Sequence, residues 1–111
     1  MCKISISVFL FRDDNKIVNA YCPSLNLIGV GNTEQEAKND FELVVKEHFE
    51  WCAENGTIVQ DMERFGWKFS NGKAEEPSLS RMLRDNSMFR SIMKRSEYKK
   101  YSRNREVAMS V

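Results

Sequence analysis

The feature that most restricts this fold is a long amphipathic helix with both ends marked in the sequence. Thr33 and Glu36 have the S/T-x-x-E spacing of a capping box. In that motif the hydroxyl accepts an orphan N–H, and the carboxylate reaches back to the N–H of the capping residue. Glu34, Glu36 and, one turn on, Asp40 set negative charge at the positive end of the helix dipole. Apolar residues follow at Ala37, Phe41, Val44, Val45, Phe49, Trp51 and Cys52, and Asn55-Gly56 supplies a left-handed stop. A helix from about Glu34 to Glu54 does not hold itself up in water by propensity alone, so its stripe must pack on a sheet. Its outer face carries Glu34, Lys38, Glu42, Lys46, Glu50 and Glu54. The pairs Glu34–Lys38 and Glu42–Lys46 have the favourable i,i+4 orientation, worth about 0.3 kcal/mol each.

The sheet is legible upstream. From Lys3 to Phe11, Ile4, Ile6, Val8 and Leu10 alternate with Ser5, Ser7, Phe9 and Phe11, the period of a strand. Asp13-Asp14-Asn15-Lys16 signals a turn, which returns Ile17 to Cys22 antiparallel. Pro23 biases Cys22 toward extended geometry, and Leu25 to Val30 supplies a third strand. Downstream of the helix, Thr57 to Phe65 reads as a short helix with Ile58, Met62 and Phe65 on one face. Gly66 to Ser70, closed by Asn71-Gly72, reads as a last strand with Trp67 and Phe69 on one side.

In the order aromatic, x-Pro-x-Leu, short strand, Gly-x-Thr-x-x-Glu-Ala, the residues Tyr21, Pro23, Leu25, Gly31, Thr33, Glu36 and Ala37 resemble the HicB-like antitoxin domain. The resemblance covers roughly residues 4 to 52. Many members of that family have a Pro-Gly-Cys turn after the leucine, where this chain has Asn26, Leu27 and Ile28. The resemblance implies an α+β fold, a partial version of the ribonuclease H fold: a small antiparallel sheet of three to four strands with one long helix on one face. It also implies a non-catalytic role, the neutralisation of a small basic HicA-type toxin that cleaves messenger RNA. Many such proteins bind operator DNA through a C-terminal domain.

The 111 residues suffice for one core, and a composition 41% hydrophobic and 30% charged excludes a wholly disordered chain. Ile4 to Phe11 is too short for a secretion signal or a membrane span, so a cytoplasmic protein is expected. Charge divides the chain more sharply than its net value of +1 suggests. Residues 1–77 hold eight basic and thirteen acidic side chains, whereas residues 78–111 hold nine basic and three acidic ones. Residues 1–76 therefore read as an acidic α+β domain. Residues 77–111 read as a basic, helical extension, part of the same compact unit or dimer-forming. Ser78 to Leu83 and Met88 to Met93 are its helix-like runs, and Val107 to Val111 alternates as an edge strand of the same chain or a neighbour.

Two uses of the basic run stay open. Arg90, Lys94, Arg95, Lys99, Lys100, Arg103 and Arg105, with Tyr98 and Tyr101 between them, have the composition of a nucleic-acid contact. The same charge equally complements the acidic body of a second subunit. For a toxin, the candidate contacts are Asp40, Glu47 and Glu50 on the helix, whose acidity would steer toward a basic RNA-binding face. Exposed sheet edges make a homo-oligomer the expectation.

Catalytic signatures are missing from the sequence: it has no phosphate-binding loop, nucleophile elbow or H-E-x-x-H. Two-metal chemistry requires clustered carboxylates, but the first strand has none, and Asp13 and Asp14 lie in the turn beyond it. His48 and Cys52 have metal-pair spacing, yet a zinc site needs three or four ligands. No catalytic residue, metal or cofactor is expected. The odd cysteine count, without a C-x-x-C, indicates free thiols.

Overall fold

The computed structural model describes residues 2–95 and 97–107. Its longest strand, β1 (Cys2–Arg12), explains the architecture through its two faces. Cys2, Ile4, Ile6, Val8 and Leu10 point one way into the main core, while Phe9 and Phe11 point the other way into a second apolar cluster. β2 (Val18–Cys22) pairs antiparallel with the C-terminal half of β1, in the register Phe9 to Tyr21 and Arg12 to Val18. β3 (Leu27–Gly31) then pairs with β2. The β1–β2 turn is tied by Asp13, whose Oδ1 accepts the N–H groups of Asn15 and Ile17 at 2.9 and 3.1 Å, with Lys16 left-handed at φ 65°.

Helix α1 (Glu34–Asn55) begins with both halves of its capping box formed and ends at Gly56 in the left-handed conformation. Ala37, Phe41, Val45, Phe49 and Cys52 are buried against the sheet. Trp51, read from the sequence as part of this stripe, is 59% exposed. At 100° per residue it stands about 100° around the helix from Cys52, near the border of the apolar face. The helix lies close to β3 because Gly29 has no side chain: a Cβ there would sit 2.3 Å from the backbone nitrogen of Phe41.

After α1 come α2 (Ile58–Arg64), the hairpin of β4 (Lys68–Ser70) and β5 (Lys73–Glu75), α3 (Leu79–Asp85), α4 (Ser87–Met93) and β6 (Lys99–Val107). The four-stranded antiparallel sheet has the order β3-β2-β1-β6, and β4-β5 forms a separate two-stranded sheet. The strand read at Gly66 to Ser70 forms over Lys68–Ser70 and is closed by Asn71-Gly72, but with both turn residues at positive φ it pairs with β5 in its own hairpin and not with the main sheet. Among the described residues the extension over 77–111 is helical only as far as Met93, and the edge strand expected at Val107 to Val111 lies, beyond Val107, outside them. Its basic run is a strand, β6, in which alternate residues Tyr101 and Val107 turn into the core.

The sheet is also covered on more than one face. Phe89 is fully buried and packs on Phe9 with the rings tilted at 59° and their centroids 4.9 Å apart, joined by Met82, Ile92, Phe11 and Tyr21. Helices α3 and α4 thus shield the aromatic end of β1 opposite α1. The Tyr21 hydroxyl fixes them in place: it donates to Asn26 Oδ1 at 2.9 Å and accepts from Asn86 Nδ2 at 2.7 Å. Toward its N-terminus β1 outruns β2, and there Glu76 takes the place of a strand. Its carboxylate accepts the Ser7 N–H at 2.9 Å, the Ser7 hydroxyl at 2.8 Å and the Ser24 hydroxyl at 2.5 Å.

Gly29→Ala should destabilise the protein by about 3 kcal/mol, since backbone rather than a movable side chain fills the space. Gly72→Ala, strained at φ 74° but facing open space, should cost about 1–2 kcal/mol. Urea titration of the two variants reads the difference, and equal midpoints would refute the close packing of helix on strand.

Candidate functional site

The basic strand and the acidic helix meet within one chain. The odd-numbered residues of β6 face α1, as the period of two requires. Lys99 Nζ lies 2.8 Å from Glu34 Oε1, Arg103 Nε 2.6 Å from Glu42 Oε1, and Arg105 Nη1 3.5 Å from Glu42 Oε2. Lys38 extends over the Tyr101 ring, 4.9 Å from its centroid. The expected helix pairs Glu34–Lys38 and Glu42–Lys46 give way to these contacts, because the carboxylates turn sideways to the strand and Lys46 pairs with Glu50 at 3.9 Å. Each partner is a third or more exposed, apart from Arg105, so an individual pair contributes only roughly 0.2–1 kcal/mol. Hydrogen bonding to Lys99 lowers the Glu34 carboxyl from its ordinary value, and the Glu42 carboxylate raises the Arg103 guanidinium.

The seven cations proposed to contact nucleic acid are therefore dispersed. Lys99, Arg103 and Arg105 are engaged by α1. Arg90 Nη1 donates to the carbonyls of Leu83 and Arg84, each at 2.8 Å, closing the end of α3. Arg95 donates to the Arg12 carbonyl at 3.1 Å and lies over Phe11. Lys94 and Lys100 are exposed. Arg12, Arg95 and Lys99 do line an open cleft of about 660 Å³ together with Tyr98, but Glu34 and Glu97 share it, and its sign is mixed.

The outer face of α1 has a different character. Opposite the buried stripe, Leu43 is 58% exposed, and Trp51, two turns further along, stands about 80° around the helix from it, toward the border of that stripe. Glu36, Glu47, Glu50 and Glu54 are exposed on the same side. Of the three proposed partner contacts, Glu47 and Glu50 belong to this face. Asp40 is half-buried, and its Oδ2 accepts the outward N–H of Val30 at 2.8 Å, sealing part of the β3 edge. Leu43 and Trp51 were missed as surface residues. The helical wheel held the signal, since Leu43 lies opposite the centre of the buried stripe.

One interior cluster has the residue types of a nucleophile site but not its geometry. Cys52 Sγ lies 3.7 Å from His48 Nε2 and donates to Asp61 Oδ2 at 3.4 Å. The carboxylate thus binds the thiol instead of orienting the imidazole, and burial raises the Cys52 thiol while it lowers the half-buried His48. Such an arrangement holds the thiol protonated, the reverse of an activated nucleophile. Among the described residues, no group of three His, Cys, Asp or Glu side chains is placed to hold a metal ion. The Asp13 carboxylate is occupied by the turn and by Asn19 Nδ2 at 3.2 Å.

Burial pushes the Cys22 thiol up to about 12, and burial with the Glu42 carboxylate pushes the Tyr101 hydroxyl up to about 12. Both values lie above those of the unfolded chain. Their stabilising contribution is therefore complete below about pH 9 and is lost as pH rises toward 12. The urea midpoint should fall between pH 8 and about pH 10.5, and by less in a variant combining Cys22→Ala with Tyr101→Phe. An equal fall in that variant would assign the effect elsewhere. All three cysteines are buried and unpaired, so iodoacetamide at neutral pH should label none of them until urea unfolds the chain.

No helix among the described residues is long and apolar enough to cross a membrane. In comparisons with known proteins, no family model, curated protein or solved structure matches the chain.

Proposed function

We propose that this chain is a cytoplasmic, non-catalytic binding protein of the HicB antitoxin type, which neutralises a small basic RNA-cleaving toxin of the HicA type by covering it. The observation that carries this reading is the outer face of α1, where Leu43 and Trp51 stand in solvent among Glu36, Glu47, Glu50 and Glu54. A protein that cleaves RNA must present cations to phosphate, and an acidic surface with apolar anchors competes for that face. The carboxylates accelerate encounter, and a tryptophan buried on binding supplies much of the affinity. The β6 cations leave this face acidic, because they are matched by Glu34 and Glu42 on the flank of the helix. The order of three antiparallel strands followed by a capped 22-residue helix also supports the HicB-like, partial ribonuclease H-like reading. Nucleic-acid binding through residues 90–105 is the weaker alternative, since three of its seven cations already face carboxylates.

The test is coexpression with the product of the adjacent reading frame. A small basic protein should copurify with the tagged chain, and coexpression should relieve the growth arrest that this protein causes alone. Trp51→Ala should weaken the complex about 30-fold without lowering thermal stability, as expected for an exposed side chain that becomes an interface anchor. Glu47→Lys with Glu50→Lys should slow association most strongly at low salt. The proposal fails if no such protein is encoded there, or if binding persists unchanged in both variants.

A further inference from the structure

Beyond this reading, the outer edge of β6 is a nine-residue strand with which no strand pairs among the described residues. Which of its backbone groups point outward follows from one hydrogen bond. Ser7 lies opposite Ser102 in the β1–β6 register and turns its N–H away from β6, onto Glu76. Ser7 and Ser102 are therefore a non-hydrogen-bonded pair, and Ser102 directs its own N–H and C=O away from β1. By the period of two, Lys100, Asn104 and Glu106 do the same.

We propose that this edge pairs with the same edge of a second copy, antiparallel about a two-fold axis through Arg103, joining two sheets into one of eight strands. Outward groups must meet outward groups, so even-numbered residues face even-numbered ones. With the axis at Arg103 all nine residues overlap. Lys100 then stands opposite Glu106 twice, Ser102 opposite Asn104 twice, and Tyr101 beside Arg105 twice. Arg103 meets its own copy at the axis, but each Arg103 is already held by Glu42 at 2.6 Å. Moving the axis to Ser102 sets Lys99 against Arg105, and moving it to Asn104 sets Arg103 against Arg105, twice in either case. Opposed like charges disfavour both shifts, so charge selects the register. Edge cations ordinarily deter strand addition. Here the arginines face the carboxylates of α1, and the remaining lysine has a glutamate to meet.

The test is sedimentation of the purified full chain with its charge variants. The wild-type protein should run at twice the 13.0 kDa chain mass at micromolar concentration. Lys100→Glu or Glu106→Lys alone should weaken dimerisation roughly tenfold to thirtyfold, because two attractive pairs become repulsive. The double exchange K100E/E106K should restore it. Asn104→Pro removes an outward N–H that β1 does not use, and should abolish the dimer while leaving the circular dichroism melt of the monomer intact. A wild-type monomer at about 1 mM, a dimer indifferent to Asn104→Pro, or a double exchange no better than the single ones would each overturn the proposal.

Discussion

The backbone of α1 rests almost directly on β3, at a point where Gly29 leaves room for the backbone of Phe41 and nothing more. Much of the surface follows from that contact. With the helix held there, Asp40 reaches the Val30 N–H, Glu34 and Glu42 come to lie beside β6, and Leu43 and Trp51 are left in solvent. Gly31 extends the same close approach, since a Cβ there would lie 2.6 Å from the Ala37 nitrogen. A larger side chain at either position would lift the helix, and a lifted helix would lose both its flank pairing and its apolar seal.

The unequal distribution of charge along the sequence resolves into two roles. Part of the basic run neutralises the flank of the acidic helix, so much of the contrast between the two ends of the chain is internal. For the proposed binding function, the carboxylates open to a partner are those on the exposed side of α1, where the strand's cations do not reach. A charge count by segment cannot separate these groups, because it has no knowledge of which helix side meets which strand. Geometry separates them at once: Glu42 lies on the β6 flank and Glu47 on the open side.

How far the sequence could be read depended on the range of each signal. The capping box, the left-handed stop at Gly56 and the alternation of β1 are local, and each appears where its residues indicated. The two faces of β1 were legible too, yet the cover for Phe9 and Phe11 comes from Phe89 and Ile92, far along the chain. The strand character of residues 99–107 was hidden because its inward positions include Arg103 and Arg105, which do not look like core. They sit on the core side since Glu42 is there to receive them, a pairing across some sixty residues that no local pattern encodes. The outer face of α1 was half read: its acids were noted, but its two apolar residues were assigned inward or passed over.

Pairing β1 with β6 joins segments from opposite ends of the described chain, Cys2 lying opposite Val107. During synthesis, β1 leaves the ribosome with its apolar side ready for α1 but with one backbone edge bare until most of the chain has followed. Sheet closure is thus postponed to a late moment in the nascent chain's life, and the intervening state is open to strand capture by other molecules. The cations of β6, the last of these strands to emerge, meet carboxylates on a helix made long before them, so the edge of β1 is covered and the charges are paired in one step.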